Sequence, residues 1–248
     1  MLITKYYELG DLTHYITKNF SSINWLNKLD KLHDIITGLK NLHKEDIIHR
    51  DLHSRNIFIA YHENFERNFA ITGDLGISKS AIDNDNNKIY GVIPYVAPEV
   101  FQKQKYSKAS DIYSFGTIMW ELMTGRKPFW NKSHDAELVI KICDGLRPSV
   151  VNNAPKSYVK LMQECWDTDP KKRPVADDVY IKISDIRSDE YESPTKINIA
   201  SSESSDIGPI AVKHPDAIYT SRLLSTDSLR INLKLGKSLF SPIFNICY

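Results

Sequence analysis

The 248 residues include 42% hydrophobic side chains, enough to build one sizeable core. The 32 Lys and Arg residues against 31 Asp and Glu leave a formal charge of +1, so the charge balance gives no support to nucleic-acid or anionic-membrane binding. Three widely spaced cysteines (Cys143, Cys165 and Cys247) suit reduced thiols rather than a disulfide framework, no run approaches a membrane-spanning length, and the first residues lack a secretory pattern. The expectation is a soluble, cytoplasmic protein.

Along the chain, Leu26, Leu29, Leu32, Ile35, Ile36, Leu39 and Leu42 form an apolar stripe with helical spacing, which leads into His49. The stretch "IIHRDLHSRNIFIA", residues 47–60, reads as strand, polar turn, strand, and "NFAITGDLGIS" supplies a further short strand ending at Gly73. "KSAIDNDNNKIYG" is polar and rich in Asn and Asp, as a surface loop requires. "DIYSFGTIMWELMTG", residues 111–125, is apolar nearly all round and predicts a buried central helix capped by Asp111 and closed by Gly125. Trp120 and Trp166, on apolar helical faces, are expected in the core. Three more helical patches follow around "HDAELVIKICDG", "SYVKLMQECWD" and "ADDVYIKISDIRS". Beyond Ser188 the sequence turns Ser-rich and loses periodicity. The expected organisation is therefore a folded body over 1–187 and a largely disordered tail over 188–248, whose apolar close, "LLSTDSLRINLKLGKSLFSPIFNICY", has no evident packing partner.

Asp51 and Asn56, five residues apart in a polar turn, read alone as an Asx-type turn without chemistry. They do not stand alone. "HRDLHSRN" at 49–56, "GDLG" at 73–76, "PYVAPE" at 94–99, "DIYSFG" at 111–116 and "CWDTDPKKRP" at 165–174 occur in this order and spacing. Together they resemble the carboxy-terminal lobe of a eukaryotic-type protein kinase. The resemblance covers about residues 1–187. It implies a mainly α fold, a protein-kinase-like C-terminal lobe in which a helical bundle carries short β-hairpins at the active-site face.

The resemblance also implies roles. Phosphoryl transfer from ATP needs an oriented substrate hydroxyl and metal ions on the phosphates. By motif position Asp51 would orient or accept the hydroxyl proton, and Asn56 and Asp74 would hold Mg2+. His49 would pack inside the loop, and Arg50 would couple a phosphorylated activation loop to the site, with Ser78, Ser80 and Tyr90 as candidate acceptors. Glu99 and Arg173 would form a buried ion pair, and Asp111 would brace the 49–56 loop through backbone N–H groups. "MLITKYYELGDL" would be the hinge: Thr4 as gatekeeper, Lys5 and Tyr7 offering backbone groups to adenine, Asp11 near ribose and Phe58 beneath the base, with Arg55 also at the nucleotide site.

Nothing before Thr4 matches the Gly-rich loop or strand lysine of the amino-terminal lobe. The resemblance therefore implies a chain that is weak or inactive alone, with a missing lobe or a partner over the exposed active-site face. His53, Arg55 and Val92 mix serine/threonine- and tyrosine-kinase patterns. With "ICDGLRP" at 142–148 they are most similar to the tyrosine-kinase-like group, including kinases expanded in soil and root-associated fungi. The implied activity is ATP-dependent phosphorylation of protein serine or threonine, or of tyrosine. The alternative is an inactive half-kinase acting as a binding scaffold. No basic stripe or amphipathic basic helix supports a nucleic-acid or membrane partner.

Overall fold

The computed structural model describes residues 7–80, 89–151, 154–195, 207–209 and 212–224. Helix α1 (Leu12–Asn19) begins where the Asp11 carboxylate accepts from His14 N at 2.8 Å, and α2 (Trp25–Lys44) begins where Asn24 accepts from Asn27 N at 2.8 Å. The predicted stripe is the buried face of α2: Leu29, Leu32, Ile35, Ile36 and Leu39 have no exposed surface. This face packs against β3 (Arg67–Thr72) and α7 (Ala176–Glu192).

Among the described residues the β-strands form three small antiparallel pairs. Strand β1 (Ile47–Ile48) pairs with β4 (Lys79–Ser80), and β2 (Ile57–His62) pairs with β3 from Ile57↔Thr72 to His62↔Arg67. Asp34 of α2 clamps that hairpin by accepting two bonds from Arg67, at 2.9 and 3.1 Å, and one from Ala70 N at 3.0 Å. Strand β5 (Ile89–Gly91) pairs with β6 (Arg222–Leu224). Residues 81–88 of the expected surface loop lie outside the described residues.

After the short α3 (Pro98–Phe101) comes the central helix, α4 (Lys108–Thr124), which is buried from Ser110 onward. It starts one turn earlier than predicted. Ser107, not Asp111, is the cap, in a reciprocal pairing with Ser110 that satisfies both free N–H groups. Asp111 lies inside the first turn, where its carboxylate is free to serve another segment. Gly125 closes the helix at φ 75°, as expected. The three later patches fall on α5 (Ala136–Cys143), α6 (Lys156–Cys165) and α7, and Trp120 and Trp166 are each 5% exposed in the core.

Helix α7 runs on to Glu192. Within the stretch expected to be a largely disordered tail, residues 212–224 lie against the lobe, with Ala217, Tyr219 and Leu224 buried in its hydrophobic cluster. The first two residues of the apolar close, Leu223 and Leu224, belong to this segment, and residues 225–248, Cys247 among them, lie outside the described residues. The architecture is thus a mainly helical lobe with a few short strands.

Candidate active site

Asp111, 1% exposed, organises the 49–56 loop. Its Oδ2 accepts from His49 N at 2.9 Å and its Oδ1 from Arg50 N at 3.0 Å, so two consecutive backbone donors converge on one carboxylate. The loop can present both because Arg50 adopts φ 70°. His43, from the last turn of α2, places Nε2 2.9 Å from Asp111 Oδ2. Sequence reasoning missed His43, although it sits four residues beyond Leu39 on the buried stripe, a position where a polar side chain needs a partner. The His49 ring is fully buried, as expected, and its Nε2 lies 3.1 Å from Gly73 O, which ties this loop to the "GDLG" segment.

Asp51 is the next residue along. Asn56 Nδ2 donates to Asp51 O at 2.9 Å and to Asp51 Oδ2 at 3.3 Å, fixing the two side chains relative to one another. His53 Nε2 stands 3.5 Å from Asp51 Oδ1. The hydroxyl of Ser221 lies 2.5 Å from each Asp51 oxygen and 3.1 Å from His53 Nε2. Burial works to raise the Asp51 pKa, but hydrogen bonding and charge at His53, with the Ser221 hydroxyl, outweigh it and hold the carboxyl below its ordinary value. Asp51 is therefore an oriented, ionised acceptor.

Asp74 is exposed at φ 56°, with Oδ1 accepting from Gly76 N at 3.3 Å. Among the described residues no three His, Cys, Asp or Glu side chains converge as a metal cage. The expected pair of Asn56 and Asp74 offers hard oxygens only, and Asn56 spends its amide hydrogens on Asp51, which turns the amide oxygen away from that carboxylate. This donor set fits Mg2+, which takes one or two protein oxygens and completes its octahedron with phosphate and water.

At the positions the resemblance assigns to the nucleotide, the rings of Tyr7 and Phe58 stack with centroids 5.4 Å apart and planes 15° from parallel. Asp11 bridges Phe58 through the backbone, Ile59 N donates to Gly10 O at 2.9 Å, and the Asp11 carboxylate is engaged in capping α1. Tyr7, Asp11 and Phe58 are thus brought together. Arg55 is exposed, while Thr4 and Lys5 lie outside the described residues.

Two supports frame the site. Lys127, which sequence reasoning did not single out, places Nζ 2.6 Å from Ser54 Oγ, 2.6 Å from Thr13 Oγ1 and 3.0 Å from Glu121 Oε1, pinning the turn after Asp51 to α1 and α4. The Arg50 guanidinium lies 4.7 Å from the Tyr106 ring centroid, and its Nε is buried with no hydrogen-bond partner among the described residues. Deeper in the core, Arg173 donates to both Glu99 oxygens, at 2.8 and 2.7 Å. The side chains are 0% and 4% exposed, and this is the buried pair expected from the motifs.

The family model for protein tyrosine and serine/threonine kinases matches residues 1–183. Among curated proteins, the chain is 33% identical to stress-activated protein kinase alpha of Dictyostelium discoideum over 74% of its own length and 30% of that protein's. It is 31% identical to the "Probable serine/threonine-protein kinase roco8" of the same organism, over 77% of this chain and 11% of the relative. Identity to ephrin type-A receptor 5 of Gallus gallus is 28%, over 86% of this chain and 21% of the relative. The chain therefore spans well under half the length of these relatives. With the family model covering the helical body and every motif assembled above, the chain belongs to the protein tyrosine and serine/threonine kinase family.

Proposed function

We propose that this lobe transfers the γ-phosphoryl group of ATP to serine or threonine hydroxyls of protein substrates. The observation that carries the reading is the serine hydroxyl seated between both oxygens of Asp51, the arrangement that a phosphoacceptor needs. Asp51, kept ionised, orients the hydroxyl and takes its proton as the oxygen attacks. Asn56 holds Asp51 in place. Asp111 and His49 stiffen the loop beneath it, so that little reorganisation accompanies the reaction. Asn56 and Asp74 would hold Mg2+, which supplies charge neutralisation at the phosphates. Tyr7, Asp11 and Phe58, with Thr4, Lys5 and Arg55, form the nucleotide side of the reading.

The names of the two Dictyostelium relatives above, one of them a serine/threonine-protein kinase, favour that substrate class. A binding-only module has no chemical use for Asp51, Asn56 and Asp74 together. Among the described residues no helix is long and apolar enough to cross a membrane. The free buried thiols Cys143 and Cys165 suit the reducing cytoplasm, where ATP is available.

The test is phosphotransfer by the protein expressed from its complete reading frame. Asp51→Asn should lower kcat by about 10²-fold or more while leaving the KM for ATP nearly unchanged, because the residue acts on the acceptor rather than on nucleotide binding. An unchanged kcat overturns the reading.

A further inference from the structure

The segment from Lys213 to Leu224 follows a path that ordinary tail packing does not explain. Strand β6 adds to β5 in a fixed antiparallel register, Ile89↔Leu224, Tyr90↔Leu223 and Gly91↔Arg222. Gly91 is the wall of the site at this point: at φ 141° it carries no side chain, and a Cβ there would lie 3.6 Å from Asp51 Oδ1. Pairing Arg222 with Gly91 therefore delivers the preceding residue, Ser221, onto Asp51. A slip of one residue would bring Thr220 or Arg222 there instead and turn alternate side chains to the opposite face.

The register is held from the other side as well. Tyr219, 8% exposed, donates its hydroxyl to Pro128 O at 2.9 Å and packs its ring edge-on to His134 with centroids 4.8 Å apart. His134 N donates to Asp216 O at 3.1 Å, His214 N donates to Trp130 O at 2.9 Å, and Arg222 Nη2 donates to His134 O at 3.3 Å. Further back, Gly208 N donates to Thr124 O at 2.7 Å and Arg126 Nε to Gly208 O at 3.1 Å. Tyr219 is thus an anchor two residues before Ser221, and β6 is a clamp immediately after it. Ser221 itself is exposed, and its Oγ lies against both Asp51 oxygens and His53 Nε2.

We infer that residues 213–224 occupy the channel meant for a protein substrate and that Ser221 is this chain's own phosphoacceptor, modified in cis by a nucleoside triphosphate. The inference rests on the phosphotransfer reading above. In the step, Ser221 Oγ forms a bond to the γ-phosphorus, and the bond from that phosphorus to the bridging oxygen breaks. The diphosphate leaves with the electron pair, and the hydroxyl proton passes to Asp51. The phosphoserine formed carries about −1.5 to −2 charges beside the Asp51 carboxylate, so repulsion drives the segment out and opens the channel to other substrates. Before modification, the tail competes with them.

Two readouts separate this inference from the reading beneath it. The first is amide hydrogen exchange at Ile89–Gly91 in the unmodified protein from the complete reading frame. Protection should fall at least tenfold in Tyr219→Ala and Ser221→Glu and persist in Ser221→Ala, which keeps the anchor and adds no charge. Protection unchanged by Tyr219→Ala overturns the docking.

The second readout is incubation with Mg·ATP and an added serine peptide, with phosphate located by mass spectrometry. Phosphate should appear on Ser221 at a rate independent of protein concentration, disappear in Ser221→Ala, and slow in Tyr219→Ala, which should at the same time lower the KM for the peptide. Phosphate on the peptide but not on Ser221 overturns this inference alone. Incorporation on Ser221 that scales with protein concentration overturns the cis assignment. No phosphate on either, with the β5 protection intact, removes the acceptor assignment along with the phosphotransfer reading.

Discussion

Arg173 and Glu99 meet where both charges are buried, and each ion satisfies the other. Arg173 also donates to Asp167 O and Ala109 O at 2.8 and 2.9 Å, so the bridge ties α3, α4 and the turn before α7 together. Removing one partner strands the other: Glu99→Ala or Arg173→Ala should lower the unfolding free energy by about 3–5 kcal/mol, read from urea titration. Lys28 presents the opposite case. It is 3% exposed, with its ammonium 4.5 and 4.6 Å from the ring centroids of Phe20 and Trp25, and burial depresses its pKa to about 8. The unfolded chain, with a Lys28 pKa near 10.5, binds more protons between those two values, so this residue's contribution to stability rises with pH across that window. Between pH 7.5 and 9.5 the wild type should gain about 1–2 kcal/mol relative to Lys28→Met, whose profile lacks this rise. Parallel profiles in denaturant titrations would contradict this account. Residues of this scale were legible when they belonged to a motif, as Glu99, Asp111 and Arg173 did. Lys28 was not legible, because a lysine in a helical stripe reads as solvent-facing until its neighbours are placed.

Helix ends show what local chemistry fixes. Gly125 was read as the stop of the central helix, and its φ of 75° is the left-handed backbone that an L side chain resists. A Cβ there would also press on the Phe20 ring at 2.7–2.8 Å, so Gly125→Ala should cost about 1–3 kcal/mol, with the loss seen as a lowered thermal midpoint. The start of the same helix was misread. Asp111 looks like a cap because Asp caps helices well, but Ser107 and Ser110 already satisfy the first turn, and the carboxylate is drawn to the backbone of residues 49 and 50. A cap is decided by a competition among nearby acceptors, and one of the competing donors here lies 62 residues away. The stripe of α2 was legible from spacing alone, since burial of one helical face needs only periodicity.

At the scale of the molecule, the lobe is a helical body with a few short strands, and the 49–56 loop meets the "GDLG" segment because β2 begins where β3 ends, Gly73 N donating to Asn56 O at 2.9 Å. Asp51 and Asn56 share one turn, as their spacing indicates, with the Asn56 amide donating to Asp51 O and Oδ2. The rest of their environment comes from far along the chain: His43 meets Asp111 across 68 positions, Lys127 meets Ser54 across 73, and Ser221 meets Asp51 across 170. The Ser-rich composition after residue 188 predicted little order, yet Ala217, Tyr219 and Leu224 are enough to seat one short strand when an unpaired strand edge and an apolar recess wait for it. By itself the sequence determined the family, through motifs set in order from residue 49 to 174, and the helical periods and the polar set of the 49–56 loop, which are written in spacing over a few turns. Only the tertiary structure decided that Ser221 sits against Asp51, because that contact depends on strand register and on a tyrosine anchor, and neither leaves a local signal.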